Sequence, residues 1–81
     1  MADPTETETV LLDLSGLSCP LPALKTRKAL NRLPPGARLR VTCTDPLSAI
    51  DIPHLVAAMG DVLESRSDDE GVFVFWLRRS N

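Results

Sequence analysis

The sequence predicts a small α/β (α+β) two-layer sandwich, in which two helices cover one face of a four-stranded mixed sheet in the order β-α-β-α-β-β. Three observations indicate this. At 81 residues, the chain has the length of one domain. Its composition, 43% hydrophobic and 25% charged, is typical of a globular protein. Segments of strand length and β-forming composition alternate with two segments of helical spacing, and two such strands close the chain.

The first half of the chain gives a strand and a helix. Residues 1–8 are polar and acidic, so we expect a disordered tail, with a single domain over residues 9–81. Thr9–Leu14 is rich in β-forming residues and predicts the first strand. A helix follows Cys19 and ends at about Leu33, before Pro-Pro-Gly.

The second half gives the remaining elements. Ala37–Thr44 alternates between apolar and polar residues and predicts a strand, with its arginines on an open, solvated face. Asp51 is expected to cap a second helix, with Pro53 in its first turn. Val62–Ser67 and Val72–Arg78 predict two strands joined as an antiparallel hairpin. The first two strands are expected to be parallel, through a right-handed crossover.

The two cysteines and one histidine exclude several kinds of site. Cys19, Cys43 and His54 cannot supply four metal ligands, so we expect no metal and no cofactor. The sequence opens with no signal peptide, so a disulfide is not expected. Cys43 lies on the inward side of its strand and is interpreted as an inert core residue, and His54 as a surface residue of the second helix.

Charge concentrates around Cys19. Between Asp13 and Asp45 there is no acidic residue, and this stretch contains both cysteines and the following cations: Lys25, Arg27, Lys28, Arg32, Arg38 and Arg40. We expect Cys19 to be the N-cap of the first helix, with Pro20 at the first helical position. The helix dipole and Lys25 or Lys28 would then lower the pKa of the thiol. The lowering is expected to be moderate, because Pro20 and Pro22 lack the amide hydrogens that would bond to a thiolate.

Two leucines interrupt the polar face of the first helix. On a helical wheel, Leu21 and Leu24 lie among the lysines, beside Cys19, whereas Leu30 lies on the buried side. A pair of exposed leucines beside a thiol indicates a docking surface. The alternative is that the N-terminal tail or the Ser15–Ser18 loop covers them.

A lone thiol with no base beside it suits thiol exchange, or the carriage of sulfur as a persulfide, because these steps need only an accessible sulfur. Scarce aromatic residues and a net charge of −2 argue against direct nucleic-acid binding. No apolar segment has the length of a membrane span and no signal peptide opens the sequence, so we expect a cytoplasmic protein. We also expect it to be a monomer when free.

The segment Leu14-Ser15-Gly16-Leu17-Ser18-Cys19-Pro20-Leu21-Pro22 resembles the Cys-Pro-x-Pro signature of the TusA/SirA-like sulfur carrier family. The likeness continues through Lys25, Arg27 and Lys28, then Thr44-Asp45-Pro46, Asp51-Ile52-Pro53 and the closing strand. The sequence departs from the family's common residues at Leu21, where an acidic residue is frequent, and at Gly60-Asp61, where several members have Gly-His.

The resemblance implies a sulfurtransferase function. Cys19 would accept sulfane sulfur from a cysteine desulfurase or a rhodanese-like donor and relay it to an acceptor sulfurtransferase. Pathways that the family serves are tRNA 2-thiolation, molybdenum cofactor assembly and sulfur oxidation. Pro20 and Pro22 would form a rigid turn, and Arg27 and Asp45 would contact partners. The alternative is a non-catalytic interaction or regulatory module in which Cys19 is only a helix N-cap.

Overall fold

The computed structural model describes residues 9–80, which form the predicted fold. The predicted disordered tail of residues 1–8 lies outside the described residues, as does Asn81. Four strands and two helices follow the predicted order: β1 (Thr9–Leu14), α1 (Leu21–Asn31), β2 (Arg38–Cys43), α2 (Ser48–Met59), β3 (Val62–Asp69) and β4 (Val72–Arg78). The bounds of β1 and β4 are as predicted, whereas β3 is longer at its hairpin end.

The strands form one mixed sheet in the order β1-β2-β4-β3. The outer strand β1 runs parallel to β2, and β4 is antiparallel to both of its neighbours. At the end of the parallel pair, Leu14 lies opposite Cys43. Because the two strands are parallel and in register, the loops that follow them leave the sheet at the same edge.

The core lies between the sheet and the helices. Alternate residues of β2 and β4 point toward the helices, as the period of a strand requires. They pack against the buried sides of α1 and α2. The main residues of this core are Leu14, Leu30, Leu39, Val41, Cys43, Ile52, Val56, Phe73, Phe75 and Leu77. Cys43 is free and fully buried, which confirms its interpretation as a core residue.

The opposite face of the sheet is open and polar. Glu64 forms ion pairs with Arg38 at 3.2 Å and Arg78 at 3.3 Å. The guanidinium of Arg40 lies over the ring of Trp76, 5.8 Å from its centroid. These contacts agree with the prediction that the arginines of β2 line a solvated face.

Helix α2 begins one turn earlier than predicted. It starts at Ser48, so Pro53 lies inside the helix and Asp51 is in its first turn rather than at the N-cap. Asp45 stabilises the new start: its carboxylate accepts a hydrogen bond from the Leu47 amide at 3.1 Å, and its carbonyl accepts from the Ser48 amide and hydroxyl at 2.9 and 2.6 Å. These contacts provide acceptors for the first amides of the helix, so that Asp51 lies within the first turn and not at the N-cap.

The buried carboxylate of Asp61 holds the two residues that follow β4, Arg79 and Ser80. It accepts hydrogen bonds from the Arg79 guanidinium at 3.1 Å and from the Ser80 amide at 3.0 Å. This residue follows Gly60, which ends α2 in the left-handed conformation. The departure from the family at Gly60-Asp61 therefore has a structural role at the C-terminal end of α2.

Within residues 9–80, neither helix has the length and hydrophobicity needed to cross a membrane.

The two sides of α1 predict opposite effects on stability. Leu30 is fully buried, whereas the side chain of Leu24 is 55% exposed. Leu30→Ala should lower the free energy of unfolding by about 2–5 kcal/mol, because it removes buried apolar contacts and leaves a cavity. Leu24→Ala, its matched control, should change this free energy by less than about 0.5 kcal/mol. Urea denaturation of both variants measures the difference, and equal losses would show that the exposed side of α1 is wrongly assigned.

Candidate functional site

The loop that carries Cys19 is bound to the loop that follows β2. The Gly16 amide donates a hydrogen bond to the Thr44 hydroxyl at 2.8 Å. The Cys19 amide donates to Oδ2 of Asp45, and Oδ1 of the same carboxylate accepts from the Leu47 amide. A single aspartate thus joins the backbone at the thiol to the start of α2.

The side chain of Cys19 is free and exposed. Its Sγ lies 3.1 Å from Oδ2 of Asp51, so the thiol donates a hydrogen bond to this carboxylate. The earlier start of α2 makes this contact available, because Asp51 projects from the first turn of the helix rather than capping it. The sequence argument missed this role, although Asp51 belongs to one of the motifs that carry the family resemblance.

The predicted N-cap role of Cys19 is wrong. Helix α1 begins at Leu21, and Pro20 occupies the cap position without a side-chain hydrogen bond. The Leu21 amide, at the first position of α1, donates to the Ser18 carbonyl at 3.0 Å and not to the sulfur. The thiol is therefore not bonded to the helix terminus, and its main polar neighbour is a carboxylate.

The predicted lowering of the Cys19 pKa is also wrong in direction. The hydrogen bond to Asp51 raises the pKa of the Cys19 thiol, and partial desolvation and the negative charges of Asp51 and Asp45 raise it further. A nearby carboxylate favours the neutral thiol over the thiolate. The sequence contains no acidic residue between Asp13 and Asp45, but the fold brings two aspartates to the sulfur from beyond that segment.

Exposed apolar side chains occur at the start of α1, directly after Cys19, and in the segment around the start of α2, whose two aspartates contact Cys19. From α1 come Leu21 and Leu24, which are 44% and 55% exposed, as the helical wheel predicted. Leu47 and Ile50, which the sequence argument missed, are 52% and 67% exposed on the segment that begins α2. Asp45 ties Leu47 to Cys19, and Ile50 directly precedes the aspartate that contacts Sγ. We call these four residues the apolar rim.

The earlier helix start also explains why half of the apolar rim was missed. A helix starting at Asp51 leaves Leu47 and Ile50 in a connecting loop, where an apolar residue has no defined side. A helix from Ser48 places Ile50 on its outer surface. The Ser15–Ser18 loop leaves Leu21 and Leu24 exposed. The other predicted cover, the N-terminal tail, lies outside the described residues.

The basic residues of α1 lie on its exposed surface. Lys25, Arg27 and Lys28 are exposed, as predicted. Lys25 and Lys28 line a shallow depression of about 230 Å³ together with Leu12, Ala29 and Arg32. Within residues 9–80, neither Asp45 nor Asp51 forms an ion pair with a lysine or arginine. These cations therefore do not neutralise the two aspartates by direct ion pairing.

An open groove of about 290 Å³ lies beside the thiol and is lined by residues of both helices: Ala23, Asp51, His54, Leu55 and Ala58. His54 is exposed here, one helical turn beyond Asp51, and is not hydrogen-bonded to Cys19. In the part of the chain that the structure describes, no three His, Cys, Asp or Glu side chains cluster in a way that would hold a metal ion.

Fold and site define a two-layer α+β domain with an exposed thiol at the edge where two parallel strands end. A family model described as "Sulfurtransferase TusA" matches residues 10–79. The chain therefore belongs to the TusA family, as its Cys-Pro-x-Pro motif indicated.

Individual relatives agree with this assignment. The chain is 35% identical to the sulfur carrier protein TusA of Pseudomonas syringae pv. tomato, covering 100% of this chain and 99% of the relative. It is 32% identical to the sulfur carrier protein TusA of Pseudomonas aeruginosa (strain LESB58), with 93% and 95% covered. The crystal structure of a SirA-like protein from Desulfitobacterium hafniense superposes with a TM-score of 0.76 at 25% identity, covering 89% of this chain and 99% of that one. These relatives support a role as a sulfur carrier.

The two cysteines are expected to react at very different rates. Cys19 is exposed and Cys43 is buried, so iodoacetamide should alkylate Cys19 much faster in the native protein. Because the pKa of Cys19 is raised, its thiolate fraction at neutral pH is smaller than that of a free cysteine. The alkylation rate should therefore rise with pH to a midpoint above the ordinary value of about 8.5. Mass spectrometry of the alkylated peptides measures both rates, and a midpoint below that value would contradict the effect of the two aspartates.

Proposed function

We propose that this protein is a cytoplasmic sulfurtransferase of the relay type, in which Cys19 carries one sulfur atom as a persulfide. The observation that carries the proposal is that the Cys19 thiol is free and exposed on the loop that follows β1, where its amide and its sulfur contact Asp45 and Asp51. A persulfide there is open to a partner protein. The family membership supports sulfur transfer in general.

The reaction conserves atoms and charge. The sulfur of Cys19 attacks the terminal sulfur of a persulfide on the donor, and a new S–S bond forms at Cys19 while the S–S bond of the donor breaks. The donor sulfur leaves with the electron pair, and the proton of the Cys19 thiol goes in net terms to the donor thiolate. Delivery repeats the same exchange, with Cys19 as the leaving group and an acceptor cysteine as the nucleophile. Neither step needs a metal or another cofactor.

The donor that we propose is a cysteine desulfurase or a rhodanese-like protein, and the acceptor is a second sulfurtransferase. Each must bring its own sulfur into bonding distance of Cys19, so each must cover the surface around it. Leu21, Leu24, Lys25, Arg27 and Lys28 are exposed on that side of α1 and are the proposed contacts. Asp45 is also a proposed contact, and within this protein its carboxylate accepts a hydrogen bond from the Cys19 amide and so positions the thiol.

The competing interpretation made Cys19 a helix N-cap in a non-catalytic interaction module. Its structural basis is lost, because Cys19 precedes the cap position and its sulfur bonds to Asp51 rather than to an amide of α1. An exposed thiol that does not cap its own helix favours a chemical role.

Incubation with a cysteine desulfurase and free cysteine should add the mass of one sulfur atom to the protein. Peptide mass spectrometry should place the added sulfur on Cys19, since Cys43 is buried. Cys19→Ser should take up no sulfur. Cys43→Ser, the matched control, should be loaded like the wild type. Loading that survives in Cys19→Ser would contradict the assignment.

The apolar rim predicts where a donor binds. Ile50→Ala should raise the donor concentration needed for half-maximal loading by about tenfold, or about 1.4 kcal/mol, as expected when a residue that contributes strongly to an interface is truncated. Leu24→Ala should act in the same direction. Leu11→Ala is the matched control: Leu11 is 69% exposed, close to the 67% of Ile50, but it lies on the open face of the sheet. Equal effects of Ile50→Ala and Leu11→Ala would show that docking does not use the apolar rim.

A further inference from the structure

The carboxylate of Asp51, which accepts a hydrogen bond from Cys19, is an unusual neighbour for a sulfur that has to act as a nucleophile. The Sγ–Oδ2 distance of 3.1 Å places a carboxylate directly on the reacting atom. The thiolate is the nucleophilic form of cysteine, and a carboxylate at this distance disfavours it by repulsion. In the free protein, this contact therefore holds the sulfur in its less reactive form.

The charged groups around the sulfur act in the same direction. Asp51 faces it from α2, and Asp45 faces it from the loop after β2. On α1, Lys25 and Lys28 line the depression beside Leu12, and they do not pair with either aspartate. His54, one turn further along α2, shares the groove with Asp51 but does not bond to Sγ. The described residues thus leave the negative charge at the thiol without a cationic partner.

We propose that Asp51 keeps Cys19 as a thiol in the free protein, and that a donor protein activates Cys19 by placing a lysine or arginine against Asp51. This rests on the proposed function, because it presupposes that Cys19 receives sulfur. The proposal assigns Asp51 a direct part in the reaction, since its carboxylate contacts the reacting sulfur. It also specifies the partner: a surface with apolar side chains opposite the apolar rim and a cation opposite Asp51.

Docking would allow the Cys19 thiol to lose its proton before the sulfur is transferred. The partner cation pairs with the Asp51 carboxylate, which then no longer accepts the hydrogen bond from Sγ. The thiol loses its proton to water, the thiolate attacks the terminal sulfur of the donor persulfide, and the S–S bond of the donor breaks. The departing donor thiolate takes up a proton from water, so that no net proton is gained or lost.

Two measurements on Asp51→Asn test this inference. The first is alkylation of Cys19 in the free protein as a function of pH, which needs no donor. Without the carboxylate the midpoint should fall, and a fall of about one pH unit would raise the rate at neutral pH about tenfold. Asp51→Glu, which keeps the charge, should stay closer to the wild type. Asp68→Asn, which removes an exposed aspartate from β3, at the opposite edge of the sheet from β1, is the charge-matched control.

The second measurement compares two sulfur sources. With glutathione persulfide, which presents no docking surface, Asp51→Asn should be loaded faster than the wild type at neutral pH. With a cysteine desulfurase it should need more donor for half-maximal loading, because the proposed ion pair is lost. Asp68→Asn should behave as the wild type in both assays.

Different results would overturn different parts of the proposal. An unchanged alkylation midpoint in a folded Asp51→Asn variant would show that Asp51 does not hold the thiol in its protonated form. A lowered midpoint with unchanged desulfurase dependence would show that no partner cation uses Asp51. If wild-type Cys19 takes up no sulfur from either source, the proposed function and the docking step both fail, while the alkylation profile still decides the effect of Asp51. If Asp51→Asn does not fold, alkylation of Asp51→Glu and Asp51→Ser gives the same comparison.

Discussion

The parallel pairing of β1 with β2 is the constraint on which the whole site depends. With Leu14 opposite Cys43, the loops that follow the two strands emerge side by side. The Cys19 loop can then attach to the loop after β2 through Thr44 and Asp45. A shift of the register by one residue would turn the buried Leu14 and the partly buried Leu12 outward, so the same packing that builds the core also fixes the position of the thiol.

Two aspartates perform separate tasks at this edge. Asp45 is a scaffold residue, because its two carboxylate oxygens and its carbonyl join the Cys19 backbone to the start of α2. Asp51 contacts the sulfur itself. The first contact determines where the thiol lies, and the second determines its protonation. Since Asp45 also sets where α2 begins, it positions Asp51 as well.

A thiol held in its neutral form suits a protein that carries sulfur between other proteins. Exposed thiolates react readily with oxidants and small electrophiles, and the products of deeper oxidation are not recovered. A sulfur atom that is exposed but protonated reacts slowly with such molecules and remains accessible to a protein surface. The apolar rim offers that surface a contact area, and the exposed cations of α1 add positive charge to the helix that carries Leu21 and Leu24.

The sequence by itself determined the order of the elements, the bounds of β1 and β4, the buried position of Cys43, the exposure of Leu21 and Leu24, and the family. These properties depend on local periodicity and on a contiguous motif, both of which are present in the chain as written. The first residues of the helices were harder to predict from the sequence. Pro20 and Pro53 favour the first turn of a helix, but backbone contacts with Ser18 and Asp45 accompany different starts for both helices. The direction of the Cys19 pKa was decided only by the tertiary structure. The residues near Cys19 in the sequence are cationic, and they predicted a lowered pKa. Electrostatic interactions depend on distance in space, however, and the fold brings Asp45 and Asp51 to Cys19 from 26 and 32 residues away.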